Sequence, residues 1–191
     1  MIPTLLTSST HIWISRPQQD AEQMAQACLA QGLVPWVMPV LTIAPYPIDG
    51  LAQTQLEQAD LIIATSRHAI TGAVTQGLLL PANIPWFAVG QATADSLTPL
   101  GIQAQLPEQQ DTEGLLSLIA PRDVQHQQVL ILKGVGGRPV LAQQLRQRGA
   151  LVTELLVYQR QCTFPEAKRV DQFLQTQGQK IILLASGETL D

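Results

Sequence analysis

Asp60-Leu-Ile-Ile-Ala-Thr-Ser66 and Lys180-Ile-Ile-Leu-Leu-Ala-Ser186 are two versions of one segment. Each is a short run of aliphatic residues closing on a small hydroxyl residue. Such continuous apolar runs, bounded by turn residues, read as strands buried on both faces, the kind found in parallel sheets. Outward from them the chain alternates short apolar runs with helical stretches, the pattern of an α/β fold.

The resemblance between the two segments belongs to a longer repeat, the first thing to look for in a chain. Ile14-Ser15-Arg16 closes the first strand, and Gly32 follows 16 residues after Arg16. Ile131-Leu132-Lys133 closes a later strand, and Gly149 follows 16 residues after Lys133. Both glycines end a helix and start a long extended run. The offset is 117 residues for this pair and 120 for the pair quoted above, so two α/β units of one design are expected. In the first unit Ser66 leads on to Phe87-Ala-Val-Gly90-Gln-Ala-Thr93-Ala94. The counterpart of that segment would fall near position 210, past Asp191, so the reading expects a C-terminally shortened second unit.

Strands are predicted at His11–Ser15, Asp60–Ala64, Trp86–Val89, Ile102–Gln105, Val129–Leu132 and Lys180–Leu184. Helices are predicted from an Asp20 cap to Ala30, and over Leu51–Gln58, Arg67–Gln76 and Ala92–Leu100. Three more run from an Asp111 or Thr112 cap to Ile119, over Pro139–Gln147, and from Pro165 to Thr176. Leu33–Tyr46 and Leu151–Cys162 are the two long extended runs. Pro35, Pro39 and Pro45 make the first an edge strand or connector, because proline cannot donate to a sheet ladder.

Hydrophobic residues make up 46% of the chain and charged residues 14%, which excludes a disordered polymer. The net charge of −4 speaks against a general nucleic-acid binder. No apolar run approaches the roughly 20 residues of a membrane span. The segment from Met1 to Thr10 has no basic residue ahead of its apolar part, so it reads as a loose lead-in rather than a signal peptide. Cys28 and Cys162 are expected as free thiols, buried or half-buried, in a reducing cytoplasm. His11, His68 and His126 carry no metal-ligand spacing.

Several strand ends have two readings. Thr65 and Ser66, like Ser186 and Gly187, are helix caps or members of a binding edge. Gly90 lets the chain turn sharply at a strand end, and Thr93 behind it is a cap or an anion contact. Gly134-Val-Gly-Gly-Arg138 is a tight turn or an anion cradle. Tyr158 is a core tyrosine or a phenol that donates a proton into a cleft.

Taken in order, these pieces resemble the uroporphyrinogen-III synthase family. The matching residues are Ser15-Arg16-Pro17, Pro39-Val40, Asp60 through Ser66, and Ala88-Val-Gly90-Gln-Ala-Thr93-Ala94. They continue with Leu130 through Gly134, Leu145 through Gly149, Val157-Tyr158 and Leu184-Ala-Ser186-Gly187. The chain departs from the family pattern at Ser15, where Thr is commoner, and at Lys133, where Arg is common. The resemblance implies two flavodoxin-like, parallel-sheet domains joined by a two-stranded connector, with the first domain discontinuous and incomplete. It implies domain bounds of 1–38 plus 160–191 and 42–157, and strand ends that line one cleft between the domains.

The reaction implied is cyclisation of hydroxymethylbilane to uroporphyrinogen III by a cytoplasmic, monomeric lyase of tetrapyrrole biosynthesis. The terminal hydroxyl leaves as water, and the last pyrrole ring inverts through a spiro intermediate. No cofactor, metal, nucleic acid or membrane is implied. Tyr158 is the catalytic candidate. Arg16, Thr65, Ser66, Gly90, Thr93, Lys133, Arg138, Ser186 and Gly187 are the candidates for holding a polycarboxylate substrate. The rival readings are a non-catalytic module for small anions, built on the Gly134–Arg138 loop, and an inactive synthase fragment.

Overall fold

The computed structural model describes residues 9–184. Ser186 and Gly187, and the strand-to-helix passage expected there, lie outside the described residues. The described residues up to Ile43 and from Arg160 onward form one compact unit, and Ala44–Gln159 form another.

In the first unit β1 (Thr10–Ile14) pairs in parallel with β2 (Val34–Val37) on one side and with β9 (Gln179–Leu183) on the other. Helix α1 (Gln18–Ala30) buries Ala21, Ala25 and Cys28 against Ile12 and Ile14. Asp20 does not cap this helix. Pro17 holds the N-cap position and its carbonyl accepts the Asp20 and Ala21 N–H groups, because a proline with φ fixed near −50° already points the chain into the helix. Helix α7 (Ala167–Gln175) contributes Phe173, which is fully buried edge-on to Trp13 and Trp36 at 5.8 Å from each. The indole N–H groups are satisfied as well: Trp13 donates to Met38 O at 2.7 Å and Trp36 to His11 Nδ1 at 3.1 Å.

The second unit is built on a six-stranded sheet, two of whose strands carry residues of the first unit at one end. Its order is β3 (Leu41–Pro45), β8 (Leu151–Cys162), β7 (Gln128–Gly134), β4 (Leu61–Ala64), β5 (Trp86–Ala88) and β6 (Ala104–Gln105). From β8 to β6 every pairing is parallel. Leu61, Ile63, Phe87, Val129 and Ile131 pack beneath α5 (Thr112–Ile119) and α6 (Val140–Gln147), which supply Leu115, Ile119, Leu141 and Leu145. Each of these large apolar side chains contributes about 1.5–3 kcal/mol by leaving water. Ile62, Leu130 and Leu132 alternate with them and are equally buried. Side chains alternate across a strand, so these face the side where α3 (Arg67–Thr75) packs on β4 and β7. Helices α2 (Ala52–Glu57) and α4 (Gln91–Leu97) complete the unit, with a 3-10 turn at Thr98–Leu100.

The paired strands of the two long runs lie side by side. Tyr46 N–H donates to Val157 O at 3.1 Å, and Thr163 N–H to Val40 O at 2.9 Å. Gly32 and Gly149, the repeat-equivalent helix stops, both take positive φ, 72° and 83°. Cys28 is buried as expected, whereas Cys162 is exposed at the end of β8, where the strand runs out to solvent. Both thiols are free. Among the described residues no helix is long and apolar enough to cross a membrane.

Candidate active site

Parallel strands bring their carboxyl ends to one edge, the edge at which open α/β sheets usually meet ligands. In the second unit Thr65 and Ser66 follow β4 there. Thr65 is tied to β7, its N–H and its hydroxyl both donating to Leu132 O at 3.2 and 3.3 Å. Ser66 is the N-cap of α3 in extended conformation, its Oγ accepting the Ala69 N–H at 3.2 Å. The cap reading therefore holds for Ser66, and a second contact adds to it: its hydroxyl donates to the Tyr158 hydroxyl at 3.0 Å.

Tyr158 reaches Ser66 because β8 is irregular at this point. Lys133 pairs with Leu156, but the next residue, Gly134, pairs with Tyr158, so one residue of β8 is passed over. Such bulges re-aim side chains. The carbonyl of the skipped Val157 is held from two sides, by Tyr46 N–H at 3.1 Å and by Gln76 Nε2 at 2.8 Å. The phenol ring lies on Gly134, where an added Cβ would come within 2.5 Å of Cζ. Its other neighbour is the His68 ring, edge-on with centroids 5.9 Å apart. Tyr158 is 4% exposed, so it is a buried tyrosine whose hydroxyl has a partner.

His68 escaped the sequence reading, which found neither metal-ligand spacing nor a His–Ser–Asp or Cys–His set among the histidines. The available signal was its place in the first turn after the Thr65-Ser66 strand end. Among the described residues no three His, Cys, Asp or Glu side chains gather in a way that could hold a metal.

Two of the three cationic candidates, Lys133 and Arg138, are already engaged. Lys133 Nζ lies 2.9 Å from Glu154 Oε1, and Arg146 reaches Glu154 Oε2 at 3.3 Å. The hydrogen bond from Lys133 is the main cause holding the Glu154 carboxyl below its ordinary pKa, against a partial offset from burial. Arg138 forks onto Glu113, in a pair exposed to solvent on both sides. It follows Gly136 and Gly137, which take φ of 79° and 80°, so the glycine loop is a tight left-handed turn.

Gly90 behaves differently from expectation. Its φ of −157° is extended backbone open to any residue, so no sharp turn requires glycine. What constrains it is contact: a Cβ would sit 3.0 Å from Gln110 Oε1, which accepts the Gln91 N–H at 2.9 Å. Thr93 is buried in the first turn of α4, its N–H donating to Gly90 O at 3.0 Å. Arg16 belongs to the first unit and is half-buried after β1. Beside it Ser15 donates through Oγ to Leu183 O at 2.7 Å, linking the ends of β1 and β9.

The structure thus gathers Thr65, Ser66, Lys133 and Tyr158, with Gly134 and His68, along β4, β7 and β8. The family model for uroporphyrinogen-III synthase HemD matches residues 22–191. Uroporphyrinogen-III synthase of Salmonella typhimurium is 32% identical over 190 residues, covering 94% of this chain and 76% of that protein. The Proteus mirabilis synthase is 32% identical over 158 residues, covering 78% of this chain and 79% of its own length. The fold is similar to the crystal structure of the Helicobacter pylori synthetase, with a TM-score of 0.61 at 16% identity, over 93% of this chain and 73% of that one. On this match the chain belongs to the uroporphyrinogen-III synthase family.

Proposed function

We infer that the protein cyclises hydroxymethylbilane to uroporphyrinogen III with loss of water, as a lyase of tetrapyrrole biosynthesis. Family membership over residues 22–191 carries this reading. Closure without inversion of the terminal ring happens spontaneously, so the work of the protein is to steer. Holding the bilane so that its last ring attacks in the inverting orientation is a positioning effect, which can contribute about 7–11 kcal/mol when geometry is well matched. Stabilising the cation left by departure of the hydroxyl is the electrostatic part.

Tyr158 is assigned the proton that accompanies the departing hydroxyl. Its support is a buried phenol, fixed over Gly134 at the carboxyl edge of the sheet. Thr65, Ser66, Gly90, Thr93 and the backbone N–H groups near them are assigned to hold substrate carboxylates, together with Arg16, Lys133, Arg138, Ser186 and Gly187. For Lys133 and Arg138 this means exchanging Glu154 and Glu113 for substrate. No cofactor has a part in this chemistry. The finer architecture proposed is two flavodoxin-like domains, 1–38 plus 160–191 and 42–157, supported by the parallel pairings and the division into two units. The protein is taken to act as a cytoplasmic monomer.

The test is the isomer formed. Hydroxymethylbilane incubated with the protein should yield the type III ring, and type I product alone would overturn the reading. Tyr158→Phe should slow type III formation about tenfold or more, the scale of a lost proton donor. A rate within about twofold of the unaltered protein removes Tyr158 from the chemistry.

A further inference from the structure

The hydroxyl that meets Tyr158 has a second partner. A serine hydroxyl carries one proton and accepts through its lone pairs. Ser66 Oγ accepts the Ala69 N–H, so one lone pair is engaged at the start of α3, and its proton lies toward Tyr158 Oη. The phenol oxygen is then an acceptor toward Ser66, which leaves its own proton available for another group. Gly134 beneath the ring and His68 at its side fix the direction in which that proton is presented.

We propose that Ser66 is a positioning residue through its hydroxyl, which acts on Tyr158 and leaves any substrate carboxylate to the Ser66 backbone N–H. It orients the phenol as a donor and supports the oxygen after the proton has gone. This rests on the reading of Tyr158 as the donor to the departing hydroxyl. In that step the C–O bond of the hydroxymethyl group breaks with its electron pair on oxygen. The Tyr158 proton joins that oxygen to make water, and the pyrrole nitrogen supplies the electrons that form the azafulvene cation. The Tyr158 oxygen keeps the pair of its O–H bond, and its negative charge faces the Ser66 O–H. Ring closure later releases one proton from the attacking pyrrole carbon, which restores the phenol. The net change is loss of one water.

A helix cap, a carboxylate ligand and a positioning residue predict different kinetics. Ser66→Ala should lower kcat about tenfold with KM within about twofold, while on a Tyr158→Phe background the same change should move kcat less than about twofold. Ser66→Thr keeps the donated hydrogen and should restore most of the rate. Ser66→Asp still accepts the Ala69 N–H, so it should recover the stability of a capped helix. It has no proton to donate, so it should remain as slow as Ser66→Ala. An equal loss of kcat from Ser66→Ala in both backgrounds overturns the proposal, as does an effect on KM alone or a fast Ser66→Asp enzyme. A Tyr158→Phe enzyme with unchanged kcat brings down the donor reading itself. A slow Tyr158→Phe enzyme with an independent Ser66 effect brings down only the positioning role.

Discussion

The ring of Tyr158 rests on the backbone of Gly134, so closely that a single methyl group there would lie 2.5 Å from Cζ. The two residues are partners across β7 and β8 at the bulge. Gly134→Ala should therefore displace the phenol from Ser66. Overpacking of this kind costs about 1–3 kcal/mol, and type III formation should slow about tenfold with it. Equilibrium unfolding in urea beside steady-state rates checks both effects, and an active, stable Gly134→Ala enzyme would contradict the packing described.

Glu154 gives stability a defined pH dependence. Lys133 first, and Arg146 after it, hold its carboxyl below the ordinary value of 4.5 in the folded protein. A group whose folded pKa is depressed stabilises above its unfolded pKa and loses that contribution as pH falls through the folded value. Glu154→Gln should thus destabilise at neutral pH, by at most about 1 kcal/mol for each partly exposed pair. The difference between the two proteins should close in acid, below the depressed value. Urea midpoints for both, taken from pH 7 downward, provide the check.

Arg138 and Glu113 form an exposed pair that a polycarboxylate can open. If Arg138 meets substrate, Arg138→Ala should raise KM about twofold to tenfold and leave kcat close to its normal value, the mark of uniform binding. Glu113→Gln, which releases the guanidinium, should lower KM. Both shifts should fade with added salt, because exposed charges are screened. Initial rates at two ionic strengths decide the matter.

Phe173 holds the aromatic cluster of the first unit. Phe173→Ala removes the edge-on partner of both Trp13 and Trp36 and should cost about 3–5 kcal/mol. Two of the three tryptophans of the chain lie in this cluster, so the loss should be visible as a shift in intrinsic fluorescence at lower denaturant.

Much of the fold was legible because strands buried on both faces announce themselves as aliphatic runs. Leu61–Ala64, Trp86–Ala88 and Leu151–Cys162 fall where Asp60–Ala64, Trp86–Val89 and Leu151–Cys162 were expected. The helix stops at Gly32 and Gly149 were legible for a similar reason, a backbone position that favours glycine. What the sequence did not reveal was pairing at a distance. Ser66 and Tyr158 are 92 residues apart, and their contact depends on a register shift that leaves no mark on residue type. The partners of Lys133 and Arg138 were hidden likewise, since an exposed glutamate looks the same whether or not a cation faces it. The Asp20 cap was misplaced because a good capping residue was given precedence over the proline ahead of it.

The skipped residue in β8 means that the position of Tyr158 is set by counting as much as by chemistry. Substitutions along residues 151–157 change what a side chain contributes, but they leave the numbering of the strand intact. Loss or gain of one codon in that stretch is a different kind of event. It would turn the phenol toward the opposite face of the sheet or cancel the bulge, with every other residue of the edge still present. In-frame indels should therefore silence the enzyme when they fall a few codons before Tyr158.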